Sequence, residues 1–238
     1  MALTRAIVLS SEVFGEADRY IQFLTRDWGV ISTLAKAARK SKRRYVGGLD
    51  IFCHSEINVR GDIPNRAYLV ELTVLNSFTK LRDDLDKILI AGQLVQWVRK
   101  LADVATPIPQ IYSLLGQTLA LLEAQSDPAR LSLLGLVFRL KLISHLGFHP
   151  RTEACARCNQ EGELAIFDLG SGGLICTECK PTSDHWELYP EERQFITHAK
   201  DLRLTRFEEV QFSEKPTQRM LHLITQFTSF HTHAKLPV

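Results

Sequence analysis

Two Cys-x-x-Cys pairs, Cys155-Ala156-Arg157-Cys158 and Cys176-Thr177-Glu178-Cys179, stand with 17 residues between them. No other feature limits the fold so tightly. One tight turn presents both sulfurs of a pair to a single metal, and two pairs complete a closed tetrahedral set. Four soft sulfur ligands suit Zn²⁺ and leave no open coordination position. A structural zinc ion, one per chain, is therefore expected on Cys155, Cys158, Cys176 and Cys179. Between the pairs lie an apolar run (Leu164-Ala165-Ile166-Phe167), a turn (Gly170-Ser171-Gly172-Gly173) and a second apolar pair (Leu174-Ile175). This reads as a short hairpin with the metal at its base. Two redox dithiols or a relic without metal are the alternatives, although the βαβ context of thioredoxin-type motifs is not visible.

The first 80 residues read as β structure. Runs rich in β-branched and aromatic residues occupy 5–9, 19–25, 30–35, 51–59 and 68–72. Turn signals separate several of them: Asp27-Trp28-Gly29, Gly47-Gly48 and Gly61-Asp62-Ile63-Pro64-Asn65. Five short antiparallel strands suggest a closed barrel, most simply an OB-fold, with an SH3-like barrel still open. After Thr79 the period changes. Leu81, Leu85, Ile88, Leu89, Leu94, Val95, Val98 and Leu101 recur at helical steps, with Asp83, Asp84 and Asp86 near the helix start. Further helices are expected at 110–124, 129–146, 190–200 and 216–234. The third of these five, apolar all round, should be the buried centre of a bundle. In the last, Met220, Leu223, Ile224, Phe227 and Phe230 form one face, read as core.

Lys36-Ala37-Ala38-Arg39-Lys40-Ser41-Lys42-Arg43-Arg44-Tyr45 carries six cations and no carboxylate. Lys36, Arg39, Lys40, Lys42, Arg43 and Arg44 make an electrostatic site for a polyanion, and phosphate backbones are the expected ligand. Contacts of this kind position a nucleic acid without reading its sequence. Tyr20, Phe23, Trp28, Tyr45 and Phe52 are candidate stacking platforms, Phe23 and Phe52 being better suited to the core. A solvated charge run is the bland alternative. Regional charge agrees with the binding reading. Residues 1–80 hold 12 basic and 8 acidic side chains, against 10 and 13 in 151–238.

Other chemistry is hard to place. There is no P-loop. His54-Ser55-Glu56 matches half of a zinc deaminase motif, but Ala154 stands where that motif needs proline. His231-Thr232-His233 fits a helix end better than a metal site. No run approaches ~18 apolar residues, so no membrane span is expected. Met1-Ala2-Leu3-Thr4-Arg5 leads straight into a strand pattern, not a signal peptide. The fifth cysteine, Cys53, reads as a buried thiol, and the cysteine usage suits a reducing cytoplasm.

Taken in order, these features resemble the bacterial RecO family of DNA repair proteins, over essentially the whole chain. The likeness runs through Ala6-Ile7-Val8-Leu9, Gly15-Glu16-Ala17-Asp18, Thr25-Arg26-Asp27-Trp28-Gly29 and Ala35-Lys36-Ala37-Ala38-Arg39-Lys40-Ser41-Lys42. It continues at Leu49-Asp50-Ile51-Phe52 and at Leu146-Gly147-Phe148-His149-Pro150, which runs into the cysteine pairs. Two departures stand out: Ala37 replaces the family's usual glycine, and Asp50-Ile51 replaces Gln-Pro.

The resemblance implies an α+β chain: a five-stranded OB-fold DNA-binding domain at 1–80, then a helical domain at 81–238 with a four-cysteine zinc finger inserted at 150–182. It implies binding of single- and double-stranded DNA, contact with single-stranded-DNA-binding protein (SSB) and with RecR, and nucleoid association in a bacterial cytoplasm. It also implies a mediator that anneals strands and helps load recombinase, without catalytic residues. An RNA-binding barrel protein with a zinc ribbon, or a protein-docking scaffold, would use many of the same features.

Overall fold

The computed structural model describes residues 2–41, 43–63, 66–103, 106–161, 164–181 and 184–238. The chain divides into two compact units, Met1–Gln125 and Ser126–Val238.

In the first unit, β1 (Ala2–Phe14), β2 (Asp18–Thr25), β3 (Gly29–Ala35), β4 (His54–Asp62) and β5 (Arg66–Asn76) close into a barrel of order β1-β2-β3-β5-β4. Every pairing is antiparallel except β3 with β5. This order is the five-stranded OB-fold, and it removes the SH3-like alternative. Alternation along the strands sends Val8, Ile21, Phe23, Ile31, Ile57, Val59 and Leu69 inward. Along 6–9 both faces are buried, because Ile7 packs outward near Gly116 of a covering helix.

The strand expected from residue 51 starts instead at His54. Phe52 adopts a positive φ of 75°, its N–H donates to the Val8 carbonyl (3.0 Å), and the Cys53 N–H donates to the Asp50 carbonyl (3.2 Å). This turn drops Phe52 and Cys53 into buried positions.

A 3₁₀ turn, Thr79–Asp83, precedes α1 (Leu85–Leu101), and α2 (Pro109–Ala124) completes the unit. The acidic cluster has a defined role here: the Asp84 side chain caps α1 by accepting from the N–H groups of Asp86 and Lys87. Leu94, Val95, Trp97 and Val98 of α1 are buried, whereas Leu85 and Leu89, read from the sequence with the same face, are exposed.

In the second unit, Asp127 caps α3 (Pro128–His145), which is buried on all sides from Leu133 to Leu140 as its sequence requires. Next come β6 (Leu164–Asp168), β7 (Gly173–Cys176), β8 (His185–Glu187), α4 (Pro190–Ala199), a second 3₁₀ turn (Leu204–Glu209) and α5 (Glu214–Thr232). On α5, Met220, Leu223, Ile224 and Phe227 are core, whereas Phe230 is 46% exposed. The hairpin expected between the cysteine pairs is β6–β7, and β8 adds a third strand that the sequence did not announce. Gly173 is required where β7 begins: a Cβ there would lie 2.1 Å from the Arg151 carbonyl oxygen, which accepts from Leu174. Among the described residues, no helix is long and apolar enough to cross a membrane.

Candidate nucleic-acid interface and metal centre

The basic segment leaves β3 and is stapled at both ends. At its start, Asp18 accepts from the Ala37 N–H (2.7 Å), and the Ala17 carbonyl accepts from the Arg39 N–H (3.0 Å). The Arg39 guanidinium donates to the Glu16 carbonyl (3.1 Å) and that of Arg44 to the Lys36 carbonyl (2.8 Å). At its end, the Arg44 carbonyl accepts from Leu72 of β5 (3.2 Å), and the Tyr45 hydroxyl donates to the Leu69 carbonyl (2.9 Å). A loop fixed in this way holds its charges in place before any ligand arrives.

Lys36, Arg39, Lys40, Arg43 and Arg44 are all exposed; Lys42 lies outside the described residues. None of the five has an ion-pair partner among the described residues. The cations nevertheless divide. The Arg39 and Arg44 side chains hydrogen-bond the loop backbone, whereas among the described residues Lys40 and Arg43 make no such side-chain bond. Asp50, the acidic departure, sits 3.9 Å from Arg19, which offsets part of its charge.

Phe23 and Phe52 are buried, as their core reading expected, but the expectation for Tyr45 needs correction: it is buried in the barrel core. Trp28 is half-buried, so of the five candidates Tyr20 is the well exposed one, at 45%. The sequence reading missed Tyr68 and Arg60. Tyr68 of β5 lies beside Lys36, whose Nζ is 5.2 Å from the ring centroid, and beside Arg60 of β4 at 5.9 Å. Only the strand register brings these three together, and spacing along the chain gives no hint of it.

The four cysteines of the second unit converge: all four sulfurs lie within 4.8 Å of one another. Cys158 Sγ and Cys176 Sγ are 3.7 Å apart. Tetrahedral Zn–S bonds of about 2.3 Å give sulfur–sulfur edges of about 3.8 Å, so the set has the size of such a site. The Cys155 sulfur accepts from the N–H groups of Cys158 (3.5 Å) and Cys176 (3.4 Å), as a thiolate in a metal knuckle would. Burial raises the Cys155 pKa, but backbone N–H groups of Cys158, Cys176 and Arg157 outweigh it and bring it to about 6. Hydrogen bonding to Cys176, with burial, pushes Cys179 up to about 12. Four crowded sulfurs cannot all ionise without a cation to compensate them. Arg157 donates to the Lys180 carbonyl (2.5 Å) and links the two knuckles.

His54 is not a metal ligand here: its Nε2 is 2.5 Å from the Tyr112 hydroxyl of α2. His231 Nε2 meets the Leu169 carbonyl at 2.9 Å.

An OB-fold barrel with a fixed cationic loop, followed by helices and a four-cysteine cluster of metal-site size, defines a class of barrel proteins with a candidate metal centre. The family model described as Recombination protein O N terminal matches residues 1–79, and the one described as Recombination protein O C terminal matches 82–238. The chain belongs to the RecO family of DNA repair and recombination proteins. A protein named DNA repair protein RecO from Myxococcus xanthus (strain DK1622) is 34% identical over 176 residues, 73% of this chain and 70% of that protein. Its namesake in Desulfitobacterium hafniense (strain DSM 10664 / DCB-2) is 32% identical over 181 residues, 74% of this chain but 63% of that protein. The one from Caldanaerobacter subterraneus subsp. tengcongensis is 25% identical over 229 residues, 96% and 92% of the two chains.

Proposed function

We propose that this chain is a non-catalytic recombination mediator of the cytoplasm. In this reading it binds single- and double-stranded DNA through Lys36, Arg39, Lys40, Lys42, Arg43 and Arg44, anneals complementary strands, and acts with RecR to help load recombinase on SSB-coated DNA. The division of labour is residues 1–80 for DNA and 81–238 for the helical remainder, with the finger at 150–182. Family membership supports this reading. The observation that carries it is the stapled loop whose exposed cations have no ion-pair partner among the described residues.

Annealing needs no nucleophile or general base. Two strands repel through their phosphates, and a surface that neutralises both lowers that repulsion and raises their local concentration. Zinc on Cys155, Cys158, Cys176 and Cys179 would supply a cross-link between the two knuckles and the hairpin, which stabilises the module's fold.

The test is annealing of two complementary oligonucleotides, one fluorescently labelled, with and without an SSB coat. Acceleration in both cases is expected. Binding without acceleration overturns the mediator reading. A preference for RNA over DNA of matched sequence moves the chain to the RNA-binding class, since the 2′-hydroxyl is the group by which a protein tells the two apart.

A further inference from the structure

Strand register assembles a row on the outer barrel surface that no sequence segment contains. Tyr20 of β2 pairs with Leu34 of β3, Leu34 with Tyr68 of β5, and Tyr68 with Arg60 of β4. Directly paired residues share one face of a sheet. The chain neighbours Ile21, Val59 and Leu69 point into the core, so this row points out. Tyr20 and Arg60 are exposed, and Leu34 and Tyr68 are half-buried. Glu12 of β1 pairs with Tyr20, so the row is negative at its β1 end and positive at its β4 end.

The positive end is unusual. Lys36, the first residue past β3, and Arg60 of β4 both lie over the Tyr68 ring, and neither has a carboxylate partner among the described residues. Phosphates need only charge. A surface ring flanked by cations offers something more, a flat apolar face beside groups that can take phosphates. We infer that this row is a base-stacking platform for an unpaired strand. Tyr20 and Tyr68 take bases, while Lys36 and Arg60 move from the ring to the flanking phosphates. Two strand spacings, about 10 Å, separate the rings, so the nucleic acid crosses the sheet. A duplex keeps its base faces stacked inside and can use only the loop cations. The inference rests on the nucleic-acid reading and adds a preference for single strands to it.

The test uses the full chain and three labelled probes at one salt concentration: oligothymidylate, an abasic deoxyribose-phosphate strand of equal length, and a duplex. The wild type should bind thymidylate more tightly than the abasic strand. Tyr68→Ala should weaken thymidylate binding by about 5- to 150-fold, the range for loss of one stacked base, and leave the abasic and duplex affinities unchanged. Tyr68→Phe should bind like wild type. Equal wild-type affinity for thymidylate and abasic strands overturns the platform while the phosphate site stands. Should Tyr68→Ala lose duplex binding through misfolding, Tyr20→Ala decides: an undiminished preference for thymidylate overturns the inference. Failure to bind all three probes removes the nucleic-acid reading, and the platform with it.

Discussion

Ala37 has φ of 53°, in the left-handed region that costs an ordinary L residue about 1 kcal/mol or more. Its N–H is held by Asp18, so the loop cannot relax that angle without giving up the bond. Glycine adopts the angle freely but has more entropy to lose from the unfolded chain. Ala37→Gly should therefore raise stability by about 0.5–1 kcal/mol, read as a higher denaturant midpoint. An unchanged or lower midpoint would mean that the loop does not hold Ala37 there in solution. The cations separate by a similar argument. Lys40→Ala and Arg43→Ala remove charge without touching the loop's bonds, and each should lower the salt slope of duplex binding by about 0.9. Arg44→Ala also frees the Lys36 carbonyl, so it should cost stability as well as affinity. A pair of variants at Lys40 and Arg43 with wild-type affinity and slope would show that phosphates bind elsewhere.

At the scale of elements, two joints report on solution conditions. His54 bridges β4 to α2 through Tyr112, and burial, then the charge of Arg5, pushes its pKa below the usual histidine value. His149, which follows α3, is also lowered, by burial and then Lys200. The unfolded chain thus takes up these protons at about pH 6.5, and the folded chain only at lower pH. Stability should be full above that value and fall as pH drops through the lower folded pKa values. Denaturant midpoints measured across this window should decline, and His54→Gln should flatten the decline by its share. A flat wild-type profile contradicts this. The second joint is the cysteine cluster: chelation should lower the melting temperature without stopping any chemistry. A folded, metal-free protein with an unchanged melting curve would show that the cluster holds no structural ion.

For the molecule as a whole, legibility followed the range of the interactions. The barrel strands, the five helices and the cysteine knuckles each rest on periodicity or spacing within one segment, and a single sequence displays these directly. Long-range effects were hidden. Tyr45 reads as a surface aromatic beside cations, yet its hydroxyl finds the Leu69 carbonyl and its ring fills the barrel. Tyr68 and Arg60 gain their setting only from the parallel β3–β5 pairing and the β4–β5 register. The shortened β4 depends on a turn held by Val8 of β1, with β2 and β3 between the two in sequence. The basic loop was legible as a charge run; its rigidity, and the division between structural and free cations, was not. The measurement that tests the central claim most directly is the annealing rate of SSB-coated complementary oligonucleotides with wild type and with the Lys40→Ala, Arg43→Ala double variant. Acceleration by the wild type that the variant largely loses, with its melting temperature intact, is the predicted result. Equal acceleration by both, or none by either, would contradict the account.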